Sequence, residues 1–118
     1  MTKLELLSRT KQFAMSIIHC INELPKDSTT KILSNQLLRA GTSIGANYRA
    51  ACRAKCKADF IYKIKVVEEE ADESIYWLEL LQETTRDPKI SNLIKEANEL
   101  TAIFTQIGKT SKQNSKSQ

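Results

Sequence analysis

Three cysteines and a single histidine are the side chains of this 118-residue chain best suited to holding a metal. Cys52 and Cys56 are one helical turn apart, and His19 and Cys20 are adjacent in an earlier segment. A structural zinc site needs a complete tetrahedral set of such ligands, usually seeded by a Cys-x-x-Cys pair. Neither that spacing nor a second histidine is present, so the thiols read as inert and no metal is expected. The acidic run Glu68, Glu69, Glu70, Asp72 and Glu73 has the carboxylates of a di-iron bundle. Such a bundle also draws Glu-x-x-His pairs from facing helices, and here Ser16 precedes His19 at that spacing. Gly108-Lys109-Thr110 looks like the close of a phosphate-binding loop, but the upstream glycine and the preceding strand are missing. It also stands at the end of a helical pattern, where a phosphate loop would open one. With no catalytic constellation left, the chain is expected not to be an enzyme and to carry no cofactor.

Binding is what the charged residues can do. From Arg39 to Lys65 the charges are Arg39, Arg49, Arg53, Lys55, Lys57, Lys63 and Lys65 against Asp59 alone. From Val66 to Glu83 the sign reverses, with Glu68, Glu69, Glu70, Asp72, Glu73, Glu79 and Glu83 and no lysine or arginine. Folded back about a short turn, the two blocks neutralise one another in part and leave a surplus facing a partner. Arg49, Arg53, Lys55, Lys57, Lys63 and Lys65 are the candidate phosphate contacts, and Tyr48 and Tyr62 are placed to stack on bases. The net charge of +4 and pI near 9.0 agree with an anionic ligand. With the turn centred near Lys57, helix geometry sets Arg39 near Ile75 and Asn47 near Val67. Arg39, Ser43, Asn47 and Glu70 then form a structural polar and ion-pair cluster, in which Asn47 fixes helix register.

Long helices must position these residues. Gly and Pro are scarce, 3 and 2 in the chain, so turns are few. Leu4, Leu7, Ala14, Ile17, Ile21 and Leu24 recur at helical spacing, broadened by Leu6, Phe13 and Ile18, giving a first helix over about 3–24 that Pro25 stops. Asp27 or Ser28 caps a second over about 28–55, with a seam of Leu33, Leu37, Ala40, Ile44, Asn47, Ala51 and Ala54. Gly41 and Gly45 lie one turn apart in it, and because a mid-helix glycine costs about 1 kcal/mol, they call for close packing by another helix. A third helix over about 58–84 repeats Phe60, Ile64, Val67, Ala71, Ser74, Leu78 and Leu81, while Ile61, Ile75, Tyr76 and Trp77 make a second partly apolar face. After Asp87 and Pro88, a fourth over about 88–107 carries Leu93, Ala97, Leu100, Phe104 and Ile107 and stops at Gly108. The expected fold is all-α: an antiparallel up-down-up-down four-helix bundle over residues 1–108, with 109–118 a disordered basic tail. No apolar run reaches the roughly 20 residues a membrane span requires. The N-terminus lacks a signal peptide's apolar core, so a cytoplasmic protein is expected.

The stretch from Gln36 to Leu81 resembles the central signature of the four helix bundle protein family, also called 23S rRNA-intervening-sequence proteins, a bacterial family. The matching pieces are Arg39, Ser43-Ile44-Gly45-Ala46-Asn47-Tyr48-Arg49, Asp59-Phe60-Ile61-Tyr62-Lys63, Glu68-Glu69-Glu70-Ala71-Asp72-Glu73 and Tyr76-Trp77-Leu78-Glu79-Leu80-Leu81. The resemblance implies a homo-oligomer, typically a pentamer, of antiparallel bundles with no established enzymatic activity. It also implies similarity to the accessory variability proteins of diversity-generating retroelements, basic barrels that associate with a reverse transcriptase and nucleic acid. The expectation is therefore a non-enzymatic oligomeric protein binding RNA or single-stranded nucleic acid. A protein-protein adaptor or scaffold is the alternative, and no membrane partner is expected.

Overall fold

Thr2 and Asp27 begin the first two helices by capping them: the Thr2 hydroxyl accepts from Glu5 N at 3.1 Å, and Asp27 accepts from Thr30 N at 3.1 Å. The computed structural model describes residues 1–116, with side chains through 114. Four helices follow in order, α1 (Lys3–Glu23), α2 (Ser28–Ala51), α3 (Lys57–Thr85) and α4 (Lys89–Lys116), with no strand among the described residues. Arg86 ends α3 in the left-handed conformation at φ 57°, where its N–H reaches Gln82 O at 2.9 Å. Asp87 then accepts from Lys89 N at 2.9 Å to open α4.

Each helix turns one apolar stripe inward. The core is built from Leu6, Phe13 and Ile17 of α1, Leu37, Ala40 and Ile44 of α2, Ile64, Val67, Leu78 and Leu81 of α3, and Ile90, Ala97, Leu100 and Phe104 of α4. Neighbours in the chain are neighbours in space, α1 also packs beside α4, and no Cα of α1 comes within 8 Å of one in α3. Polar pairs show how they align. Glu68 of α3 meets Thr105 late in α4, while Gln82 reaches Ser91 early in α4 at 2.7 Å. Arg9 of α1 holds Glu96 of α4 through paired 2.7 Å hydrogen bonds, and Glu23 receives Lys89. Thus late residues of α3 and of α1 lie beside early residues of α4. Among the described residues no helix is long and apolar enough to cross a membrane.

Several boundaries differ from those the sequence pattern predicts. Helix α2 ends at Ala51, short of residue 55, because Arg53 N and Ala54 N bond to Ala50 O and Ala51 O in tight turns. The turn thus centres before Lys57, and Arg39 meets Glu70, its expected partner in the polar cluster, and also Glu73. At the other end α4 does not stop at Gly108. No glycine has a positive φ, and the helix runs to Lys116 through the segment expected to be a disordered tail, of which 117–118 lie outside the described residues. In the α2 seam Tyr48 and Ser34 are buried, and Asn47 and Leu33 are only half-buried beside them. A stripe of period 3.6 drifts from a strict heptad within a few turns.

The glycines of α2 face α1. A Cβ on Gly41 would lie 2.2 Å from Cδ1 of Ile17, a side chain with no exposed surface. On Gly45 the nearest atoms would be Thr10 Oγ1 at 3.3 Å and the Thr10 carbonyl carbon at 3.5 Å. Gly41→Leu is expected to destabilise by about 1–3 kcal/mol or more through overpacking. Gly45→Ala should stay within about 1 kcal/mol of the parent, since mild crowding offsets a gain in helix propensity. Thermal melting followed by circular dichroism checks the order of the two.

Candidate nucleic-acid interface

The turn between α2 and α3 carries the basic surface, and Asp59 shapes it. Cys56, the cap residue of α3, offers no side-chain hydrogen bond to the helix. Asp59 instead binds both sides of the junction, accepting from Lys55 N at 3.2 Å and from Lys63 Nζ at 2.5 Å. The Lys63 hydrogen bond, followed by that of the Lys55 amide, holds the Asp59 carboxyl below the usual carboxylate range. Lys63 is therefore engaged within the chain. Arg53, Lys55 and Lys57 are exposed around the turn, and none of their side chains has an ion-pair partner among the described residues. Arg49, also exposed, lies in the last turn of α2, where a cation suits the helix C-terminus.

Beside this turn, Lys3 and Lys57 rim an open recess of about 490 Å³ floored by Leu6, Phe60 and Ile107. On the α3–α4 side, Lys65 joins Lys109 and Lys112 around a depression of about 150 Å³ that also includes Glu68. Lys109 and Lys112 belong to the segment expected from the sequence to be a disordered tail. The signal that could have found them is their spacing of four and seven residues from Thr105, which keeps them on the flank of α4 that faces Glu68 of α3. Tyr62, between Lys57 and Lys65 along α3, is 67% exposed. Tyr48 is not available as a base platform. It is 5% exposed and sits edge-on to Phe104 at 5.3 Å between ring centroids. Burial, then a hydrogen bond with Cys52, pushes its phenol up to about 12, so it stays neutral in the core.

The polar cluster is brought together only in part. Arg39 forms ion pairs with Glu70 at 3.4 Å and with Glu73, which also accepts from Trp77 Nε1 at 3.0 Å. Ser43 and Asn47 turn back onto their own helix, donating to Arg39 O at 2.6 Å and Ser43 O at 2.8 Å. Asn47 therefore makes no inter-helix hydrogen bond among the described residues. Cys52 and Cys56 line the recess beside the turn. Cys20 is buried where Asp87, Lys89 and Glu23 gather, and burial raises its thiol pKa. Among the described residues no group of three His, Cys, Asp or Glu side chains is placed to hold a metal ion.

The family described as 23S rRNA-intervening sequence protein matches residues 2–106. No curated protein matches the chain. The chain is similar to a crystal structure of a protein of unknown function from the S23 ribosomal protein family of Bacteroides thetaiotaomicron. The two are 33% identical with a TM-score of 0.84, covering 92% of this chain and 99% of that one.

The Asp59 contacts define a pH test. A carboxyl whose folded-state pKa is depressed contributes stability that is present above the unfolded value near 3.9 and disappears as pH falls through the lower folded value. Asp59→Asn should therefore melt below the parent at neutral pH, and the gap should close in that acidic window. Carboxyl NMR titration should place Asp59 below ordinary aspartates, and Lys63→Gln should bring it back up.

Proposed function

The chain belongs to the 23S rRNA-intervening sequence protein family, and from that premise we propose that it is a non-enzymatic binding protein for RNA or single-stranded nucleic acid, working as a homo-oligomer of antiparallel up-down-up-down bundles in the cytoplasm. Five subunits are proposed on family resemblance. The observation that carries the ligand class is the concentration of unpaired cations at one end of the molecule. Arg53, Lys55 and Lys57 ring the α2–α3 turn, and Lys65, Lys109 and Lys112 continue the positive surface across α3 to α4. Phosphates spaced along a flexible strand can meet such a surface without any fixed base register, with exposed Tyr62 offering one stacking face.

The acids of the chain support this reading by where they stand. Asp59, the one acid in the stretch from Arg39 to Lys65, is held by Lys63, and Glu70 and Glu73 farther along α3 are held by Arg39. An adaptor or scaffold role is the second reading. It rests on the outer face of α3, where Tyr76 is 54% exposed among carboxylates.

Binding of single-stranded RNA should weaken linearly with log salt. Arg53→Gln, Lys55→Gln and Lys57→Gln together should lower affinity and flatten the slope by about 0.7 for each phosphate that is no longer neutralised. Fluorescence anisotropy over a salt series measures both, with helical circular dichroism unchanged as the control. Absence of binding to RNA or DNA at low salt, with the assembly intact, would transfer the case to the adaptor.

A further inference from the structure

Two faces of the surface carry charges that the fold leaves without partners, and their patterns are opposite. The first is the groove between α1 and α2, about 450 Å³, floored by Leu7, Ala14, Thr42 and Ala46 with Lys11 and Arg49 at its edge. Next to it Met15 and Leu38 are 39% and 37% exposed, so the apolar strip is wider than the groove. Lys31 lies on the same side of α2, in step with Leu38, Thr42 and Arg49 at spacings of seven, four and seven residues. Along α2 the order is thus cation, apolar strip, cation, over about 27 Å at 1.5 Å per residue. Lys11, Lys31 and Arg49 have no ion-pair partner among the described residues.

The second face is the outside of α3. Glu69, Asp72, Tyr76, Glu79 and Glu83 follow one another at spacings of three and four residues, and all are exposed. Tyr76 stands in the middle, 54% exposed and steadied by an edge contact with Trp77 at 5.1 Å. None of the four carboxylates is in an ion pair among the described residues. The order is acid, aromatic, acid, over about 21 Å.

We propose that the outer face of α3 in one copy of this chain docks into the α1–α2 groove of the next, Tyr76 covering the apolar strip and its flanking carboxylates meeting Lys11, Lys31 and Arg49. The proposal rests on the oligomeric reading above and names its interface. No residue of α3 lines the groove, and no Cα of α1 comes within 8 Å of one in α3, so the groove beside α1 and the outer side of α3 point to different sides of the molecule. A pair of copies related by a twofold axis cannot satisfy both contacts at once. Each copy offers a groove to one neighbour and an α3 face to another, which is a head-to-tail contact of the kind that builds a ring when its rotation closes. This arrangement engages Arg49 and leaves Arg53, Lys55, Lys57, Lys65, Lys109 and Lys112 free for phosphate.

Charge exchange tests the pairing. By size-exclusion chromatography with light scattering, the parent should elute as an assembly, and Asp72→Lys with Glu79→Lys should reduce it toward the 13.4 kDa chain. Lys11→Glu with Arg49→Glu should do the same, and a chain carrying all four substitutions should reassemble. All the substituted positions are exposed, and unchanged helical circular dichroism verifies the fold. An oligomeric parent whose mass survives either pair of substitutions overturns this interface and leaves the oligomer standing. Failure of the four-substitution chain to reassemble while folded overturns the pairing of these two faces. A parent of 13.4 kDa removes the oligomer itself and assigns both faces to other partners.

Discussion

Every other contact in this molecule follows from the burial of one stripe along α3. Ile64, Val67, Ala71, Ser74, Leu78 and Leu81 are each at most 1% exposed, and α3 packs against both α2 and α4 more extensively than any other helix packs against its neighbours. Close packing makes such a stripe intolerant of rotation, because turning the helix would bring Glu70 or Glu73 into the core without partners. With α3 held in one rotation, each of its charges has a fixed direction. Glu70 and Glu73 look toward Arg39 on α2, Glu68 looks toward Thr105 on α4, and Glu69, Asp72, Glu79 and Glu83 look outward.

The core accepts Ser74, Thr10 and Thr30 because each hydroxyl has an acceptor at hand. Ser74, with no exposed surface, donates to Glu70 O at 2.8 Å, and Thr10, 1% exposed, donates to Leu6 O at 3.0 Å. These bonds close within a single helix turn, so they do not demand precise alignment between helices. Small side chains at Ala40, Gly41, Ala71, Ser74 and Ala97 let the helices approach closely, and large ones at Phe13, Ile17 and Phe104 fill the remaining space. The Arg9 and Glu96 pair bridges α1 and α4, which of the touching helices meet least extensively.

The basic end depends on the same logic at shorter range. Asp59 is the lone acid within the positive block, and it is spent on the turn and on Lys63 rather than on the outward cations. The continuation of α4 past Gly108 then carries Lys109 and Lys112 up to Lys65. A basic surface of this kind is assembled from three separate stretches of chain, and its extent is set by where helices end.

Much of this was legible in the sequence, and the reasons for the rest are specific. The α3 stripe could be read outright, because six inward residues at alternating four- and three-residue steps admit one helical face. The all-α class, the four helices, the family resemblance and the division of charge between two blocks came from local pattern in the same way. The fate of Tyr48 did not, since a tyrosine beside arginines looks the same whether its ring turns to solvent or to Phe104, far along the chain in the last helix. Nor did the extent of α2 and α4. Gly108 is a stop signal only if the chain takes up a positive φ there, and α2 ends at Ala51 where Arg53 N and Ala54 N bond in tight turns that no residue type in the pattern announces. Local spacing determines which face of a helix is apolar. Which of two adjacent residues fills the seam, and which cations remain unpaired, depends on atoms that only the packed helices bring within a few ångströms.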